Sequence, residues 1–188
     1  MLSGLASLLP YWAILLAAIV EGEIAYIAAV TLVAHGQLHP IGVVASGTVG
    51  AALGDQAWFY LFRGRLPRWL ARYPSIARKT APLVGRVRRH GNLMVLLIRF
   101  APGLRIALAS ACAWVEVPAW KFSALSFVSA FIWATTLLVV VGWLGPTYLA
   151  RFGLGGWKGA LLMGLAVLAA LKLLGAYERR AMDDSAVP

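Results

Sequence analysis

The chain has 188 residues, 61% of them hydrophobic and 13% charged, with a mean hydropathy of +0.80. A soluble domain carries about 25% charged residues, so this composition excludes an ordinary soluble protein and predicts one integral membrane domain over residues 1–188. The net charge of +10 would favour nucleic acid in a soluble chain. Here the basic residues lie beside apolar runs, where they record membrane orientation, and no nucleic-acid motif accompanies them.

Leu2 to Val20, with Pro10 near its start, predicts a short helix that either crosses the bilayer or lies in its interface. No cleavable leader is expected, because a basic first region is missing and Ala17-Ala18 leads into Glu21 and Glu23. Ile24 to Ala34 is too short to span and ends in the breaker run His35-Gly36-Gln37-Leu38-His39-Pro40. His35 and His39 have a metal-ligand spacing, but Pro40 follows at once and no further ligand is near. A turn at the membrane surface is predicted, and no metal site. Ile41 to Phe62 reads as a spanning helix that contains Asp55.

The next stretch differs sharply. Arg63, Arg65, Arg68, Arg72, Arg78, Lys79, Arg86, Arg88 and Arg89 fall within residues 63–90, which hold no acidic residue. Pro67, Pro74 and Pro82 are expected to cut this basic loop into short pieces. The positive-inside tendency places it in the cytoplasm, as a topology determinant that also touches anionic headgroups.

Two more short apolar runs follow, Asn92 to Ile98 and Ile106 to Val115. Phe122 to Leu144 is uncharged and exceeds the roughly 20 residues that a spanning helix needs. The last span, within residues 154–176, has Lys158 and Lys172 near its ends, where they can snorkel. Arg179 and Arg180 then agree with a cytoplasmic C-terminus. Trp58, Trp114, Trp120, Trp143 and Trp157 fall near span ends, as in an aromatic belt. The single cysteine, Cys112, excludes an intrachain disulfide and reads as a packed apolar residue.

Few polar side chains remain at apolar depth: Glu21, Glu23, Asp55, Arg99, Arg105 and Glu116. Glu116, close before Pro118, reads as an interfacial or capping residue. A charge in the bilayer is costly and is retained for a task. A carboxyl in low dielectric can load and release a proton near neutral pH, and arginine offers phosphate a planar fork. Six residues on an ideal helix turn through about 240°, so Arg99 and Arg105 converge only if the helix breaks between them. Pro102 and Gly103 are the breakers. The arginines then either pair with Glu21, Glu23 or Asp55 or hold an anion. Each half of the chain has an interrupted charged segment followed by a span, a pattern of inverted-repeat transporters.

Arg99-Phe100-Ala101-Pro102-Gly103-Leu104-Arg105 resembles the R-F-x-P-G-x-R segment of the DedA membrane proteins, also described as the SNARE-associated or VTT domain group. Gly54-Asp55 followed by Tyr60 and Arg63 is similar to that family's G-D…Y-x-x-G-R stretch, with Phe62 where glycine is frequent. Glu21-Gly22-Glu23 occupies the place of its glutamate motif, though no proline lies between Tyr11 and His39; position favours Glu23. Phe122, Trp133, Gly142 and Gly145 match a later pattern, and the likeness covers residues 20–145. The resemblance implies an all-α polytopic fold with two facing re-entrant hairpins, each followed by a spanning helix, plus a C-terminal span. It implies a bacterial inner-membrane location and lipid translocation, with undecaprenyl phosphate recycling and proton-motive-force homeostasis as the bacterial roles.

The expected function is a flippase for undecaprenyl phosphate or a related anionic lipid. Arg99 and Arg105 would hold the phosphate, and Glu23 and Asp55, with Glu21 as the alternative carboxylate, would exchange protons. The partners are membrane lipids and protons, with no cofactor. A proton-coupled small-ion exchanger and a non-transporting membrane-homeostasis scaffold are the rival readings. Hydrolysis is not expected, since it needs an activated nucleophile or a metal and no paired Ser and His stands at membrane depth.

Overall fold

The computed structural model describes residues 2–64, 74–100, 105–153 and 156–184, and every regular element among them is helical. Helices satisfy their own backbone groups, as an apolar surrounding demands.

Helix α1 (Leu2–Ala34) has 33 residues and passes through Pro10 and Glu21-Gly22-Glu23 without a break. The separate short helix and the segment interrupted at the glutamates, both expected from the sequence, are thus one continuous helix. Its packing gives the reason. Ile14, Ala18, Gly22, Tyr26 and Val30 follow one another at four-residue spacing and are all buried, so one apolar stripe runs past the glutamates.

The breaker run acts where the sequence places it. Gly36 adopts φ +77°, and the N–H groups of Gly36 and Gln37 donate to the carbonyls of Val33 (2.9 Å) and Leu32 (2.9 Å). That is a Schellman ending, in which glycine takes the left-handed position without steric cost. Helix α2 (Pro40–Phe62) starts on a proline, which suits a first helical turn. The His39 N–H donates to the Tyr11 hydroxyl at 3.0 Å.

Helix α3 (Pro74–Leu97) corrects the expectation of a loop chopped by prolines. Pro74 opens the helix, position 82 does not end it, and a kink falls at His90 (φ −134°, ψ 40°). Leu83 and Val87, one turn apart, are buried while Arg86, Arg88 and Arg89 are exposed. Over residues 83–90 the basic stretch is therefore an amphipathic helix.

Helix α4 (Arg105–Trp114) closes on Glu116, whose φ of +56° puts it in the left-handed position. The Val117 N–H donates to the Cys112 carbonyl at 3.1 Å, so Glu116 is a capping residue. Helix α5 (Ala119–Leu137) continues into a π segment (Leu138–Leu144), helix α6 (Gly145–Leu149), a 3₁₀ turn (Ala150–Phe152) and helix α7 (Gly156–Asp184).

Among the described residues one continuous helical run, Ala119–Thr147, is long and apolar enough to cross a membrane by length and composition. It contains the expected span at Phe122. Helix α2 has 23 residues but is diluted by Asp55, Gln56 and small residues. In α7 the apolar run is Trp157–Ala170. Large apolar side chains such as Val20 (82%), Ile41 (72%) and Trp143 (70%) are left exposed, as on a surface that meets lipid.

The chain divides into two compact units. The first comprises Met1–Gly54 and Ala130–Ala170, with Tyr26, Ile27, Val30, Val43, Trp133 and Val141 in its core. The buried Tyr26 hydroxyl donates to the Ala134 carbonyl at 3.0 Å, one turn before the helix changes to π register. The Tyr26 and Trp133 ring centroids lie 4.9 Å apart. Helices α1 and α2 approach closely at Gly50, where a Cβ would fall 2.3 Å from the Leu15 carbonyl oxygen. The second unit comprises Asp55–Ser129 and Leu171–Pro188. Its core holds Phe59, Leu83, Val87, Val95, Ile98 and Phe122.

Gly50→Ala therefore forces backbone apart, with an expected cost of about 1–3 kcal/mol. Gly85→Ala, in a helix with nothing within 4 Å of the new Cβ, is expected to gain about 0.5–1 kcal/mol. Thermal unfolding of the two variants in detergent should move in opposite directions; equal shifts would refute the close approach.

Candidate functional site

The second unit is organised by one antiparallel match between α2 and α5. On α2, Asp55 and Phe59 are one turn apart; on α5, Phe122 and Ser126 are one turn apart. The Phe59 and Phe122 rings stack with centroids 4.1 Å apart and planes 12° apart. One turn along, the Ser126 hydroxyl donates to Asp55 Oδ2 at 3.0 Å. Both residues are fully buried. The stacked rings thus set the register that brings a hydroxyl to a carboxylate.

The arginines flank an interruption in the helical run. Helix α3 ends at Leu97, the Phe100 N–H donates to the Leu97 carbonyl at 2.9 Å, and helix resumes at Arg105. Pro102 and Gly103, the predicted breakers, lie outside the described residues. Ser129 Oγ donates to the Leu96 carbonyl at 2.6 Å, satisfying one of the last carbonyls of α3, which lack partners within the helix. Ser126 and Ser129, three apart on α5, therefore hold respectively the carboxylate and the helix end that leads to Arg99.

Arg99 is 4% exposed. Its Nε donates to Asp55 Oδ2 at 3.1 Å, and its Nη2 lies 3.1 Å from the same oxygen. Arg105 stands on the other side, with Nε 3.2 Å from Asp55 Oδ1. The two contacts differ in kind. Oδ2 takes hydrogen bonds from Arg99 and Ser126, whereas Oδ1 is buried and accepts no hydrogen bond. The Arg105 contact is thus an ion pair at short range without hydrogen-bonding geometry. The Arg99 side chain is 2% exposed and that of Arg105 is 18%.

Both arginines therefore reach one carboxylate, that of Asp55. Glu23 is half-buried on α1 in the first unit, and the Glu21 side chain lies outside the described residues. Ser126 is the member that sequence reasoning missed. A serine in an apolar run carries little signal alone, and the three-residue spacing of Ser126 and Ser129 on an uncharged span does not name their partners.

Chemically, two cations around one carboxylate make an anion-binding arrangement. Arg105 is the first residue of α4, where the helix dipole disfavours a cation and favours an anion. Asp55 supplies that negative charge. Among the described residues no group of three His, Cys, Asp or Glu side chains is placed to hold a metal. His35 instead packs edge-on against Trp157, with centroids 5.9 Å apart. The first unit also has an apolar cavity of about 560 Å³ lined by Tyr11, Trp12, Leu15, Ile41 and Val49 among others, with His39 at its wall.

A family profile described as the VTT domain matches residues 20–144. Inner membrane protein YohD of Escherichia coli (strain K12) is 26% identical over 152 residues, which cover 79% of this chain and 77% of that protein. An uncharacterized membrane protein of Mycobacterium bovis, Mb2670, is 29% identical over 177 residues, covering 87% of this chain and 78% of the relative. Its counterpart Rv2637 of Mycobacterium tuberculosis matches with the same figures. No solved structure matches.

Removing one partner of a buried ion pair leaves the other charge uncompensated and costs about 3–5 kcal/mol. Asp55→Ala is expected to lose stability on that scale, and Ser126→Ala about 1–3 kcal/mol. Unfolding of detergent-purified variants checks both; a Ser126→Ala protein as stable as wild type would show that the hydroxyl carries no weight.

Proposed function

The chain belongs to the VTT domain (DedA) family, and on that premise we propose that it is a bacterial inner-membrane transporter for a polyprenyl phosphate or related anionic lipid. The observation that carries this is the convergence of Arg99 and Arg105 on Asp55 at a helix break, with Arg105 the more exposed of the two.

In this reading the arginines divide the work. Arg99, buried and hydrogen-bonded to Asp55, fixes the carboxylate. Arg105, held by an ion pair without hydrogen-bonding geometry, exchanges Asp55 for the phosphate of the lipid. A phosphate offers guanidinium a bidentate contact, and the first turn of α4 adds favourable amides and dipole. When Arg105 turns to phosphate, Asp55 Oδ1 is the acceptor that takes a proton. Glu23, or Glu21, serves as the second proton-exchanging acid. The broken segment around Arg99 to Arg105 forms one of two re-entrant hairpins in an inverted repeat, and the basic stretch at 63–90 faces the cytoplasm.

The test is translocation in proteoliposomes. A short-chain polyprenyl phosphate is placed in both leaflets and probed from outside with a non-permeant phosphatase. Wild type should expose the inner pool. Arg105→Lys keeps the charge but lacks the planar fork, and is expected to fold normally and lose at least tenfold in rate. Wild type indistinguishable from empty liposomes would sink the transport reading. A swap of Asp55→Arg with Arg99→Asp separates transport from scaffolding: a scaffold regains function with the pair restored, a transporter does not.

A further inference from the structure

Arg86, Arg88 and Arg89 are exposed on α3 while Val87 between them is buried. Leu83, one turn earlier, is buried as well, so the apolar face of the helix is pinned and its arginines point outward. Arg63, at the end of α2, is also exposed, with its guanidinium carbon 5.3 Å from the Phe59 ring centroid. Phe59, Leu83 and Val87 belong to one core cluster, so both basic elements are mounted on the same apolar support. Residues 63–90 contain no acid. Among the described residues, neither ion pair that the structure shows involves these four arginines. At about 1.5 Å per residue, Arg63 stands roughly 12 Å along α2 from Asp55, and Arg89 precedes Arg99 by ten residues.

A cluster of like charges repels itself and is kept where it meets the opposite charge. Orientation alone asks only for basic residues near a membrane end. It does not ask that they share one compact unit with the buried Asp55–Arg99–Arg105 cluster, with Arg63 about two helical turns from Asp55. We propose that Arg63, Arg86, Arg88 and Arg89 form a headgroup-collecting surface that concentrates anionic phospholipid beside the Asp55–Arg99–Arg105 cluster. Collection depends only on charge complementarity with phosphate headgroups. That the collected lipid goes on to Arg105 rests on the transport reading above.

The experiment uses the full chain in nanodiscs of phosphatidylcholine carrying a minority of phosphatidylglycerol. Spin-labelled versions of the two lipids report which is immobilised at the protein. One arginine near an anionic surface is worth about 1 kcal/mol, or about fivefold in local headgroup concentration. Wild type should prefer phosphatidylglycerol. The triple variant Arg86→Gln, Arg88→Gln, Arg89→Gln should lower that preference at least fivefold, and the corresponding lysine triple should keep it. A glutamine triple with undiminished preference, or a lysine triple that loses it, would overturn the proposal. Arg105→Gln should keep the lipid preference and lose translocation. If wild type proves unable to translocate while the glutamine triple still loses its preference, the transport reading falls and the collecting surface stands.

Discussion

A carboxylate with no exposed surface, Asp55, accepts hydrogen bonds from Arg99 and Ser126 on one oxygen and faces Arg105 with the other. The rest of the second unit depends on this cluster. Taking a carboxylate and a guanidinium out of water is expensive and is repaid only when geometry and further hydrogen bonds are good. Each neighbouring feature serves that condition. The Phe59–Phe122 stack sets the register of α2 against α5. Ser129 anchors the end of α3 through the Leu96 carbonyl. The end of α3 at Leu97 and the start of α4 at Arg105 let two arginines six positions apart reach one acid.

The asymmetry between the two arginines links this architecture to function. In the proposed transport reading, the ion pair locked by hydrogen bonds on one oxygen holds shape and the partly exposed pair on the other is the one exchanged. An entirely structural cluster would gain from hydrogen-bonding both oxygens, because an unsatisfied buried acceptor costs about 1–3 kcal/mol. Asp55 Oδ1 accepts no hydrogen bond and instead faces Arg105 Nε at 3.2 Å. The first unit is of another character: aromatic packing around Tyr26 and Trp133 and a close α1–α2 approach at Gly50 build an apolar core.

Much of the site was legible in the sequence because charge at apolar depth is rare and each instance stands out. Asp55, Arg99 and Arg105 were identifiable on that ground; the helix ends at Leu97 and resumes at Arg105, on either side of the expected breakers, which lie outside the described residues. The breaker run at His35 to Pro40 was equally plain, since glycine supplies a left-handed residue and proline a helix start. Other elements were hidden for physical reasons. The continuity of α1 depends on a buried stripe of four-residue spacing that outweighs the glutamates beside it. The helix at 74–97 was masked by prolines, one of which is favourable at a first turn. Ser126 was hidden because a hydroxyl in an apolar span usually satisfies itself on its own backbone, as Thr31 does with the Ile27 carbonyl. Its partner, one turn from a ring stack, is visible only in three dimensions.

The central claim is that Arg105 meets a phosphate, and direct binding tests it with the fewest intermediates. The affinity of the purified protein would be compared for a short-chain polyprenyl phosphate and for the same polyprenol without its phosphate. The account predicts at least tenfold tighter binding of the phosphate, with the difference abolished in Arg105→Gln. Equal binding of the two lipids by wild type, or a preference that survives Arg105→Gln intact, would contradict it.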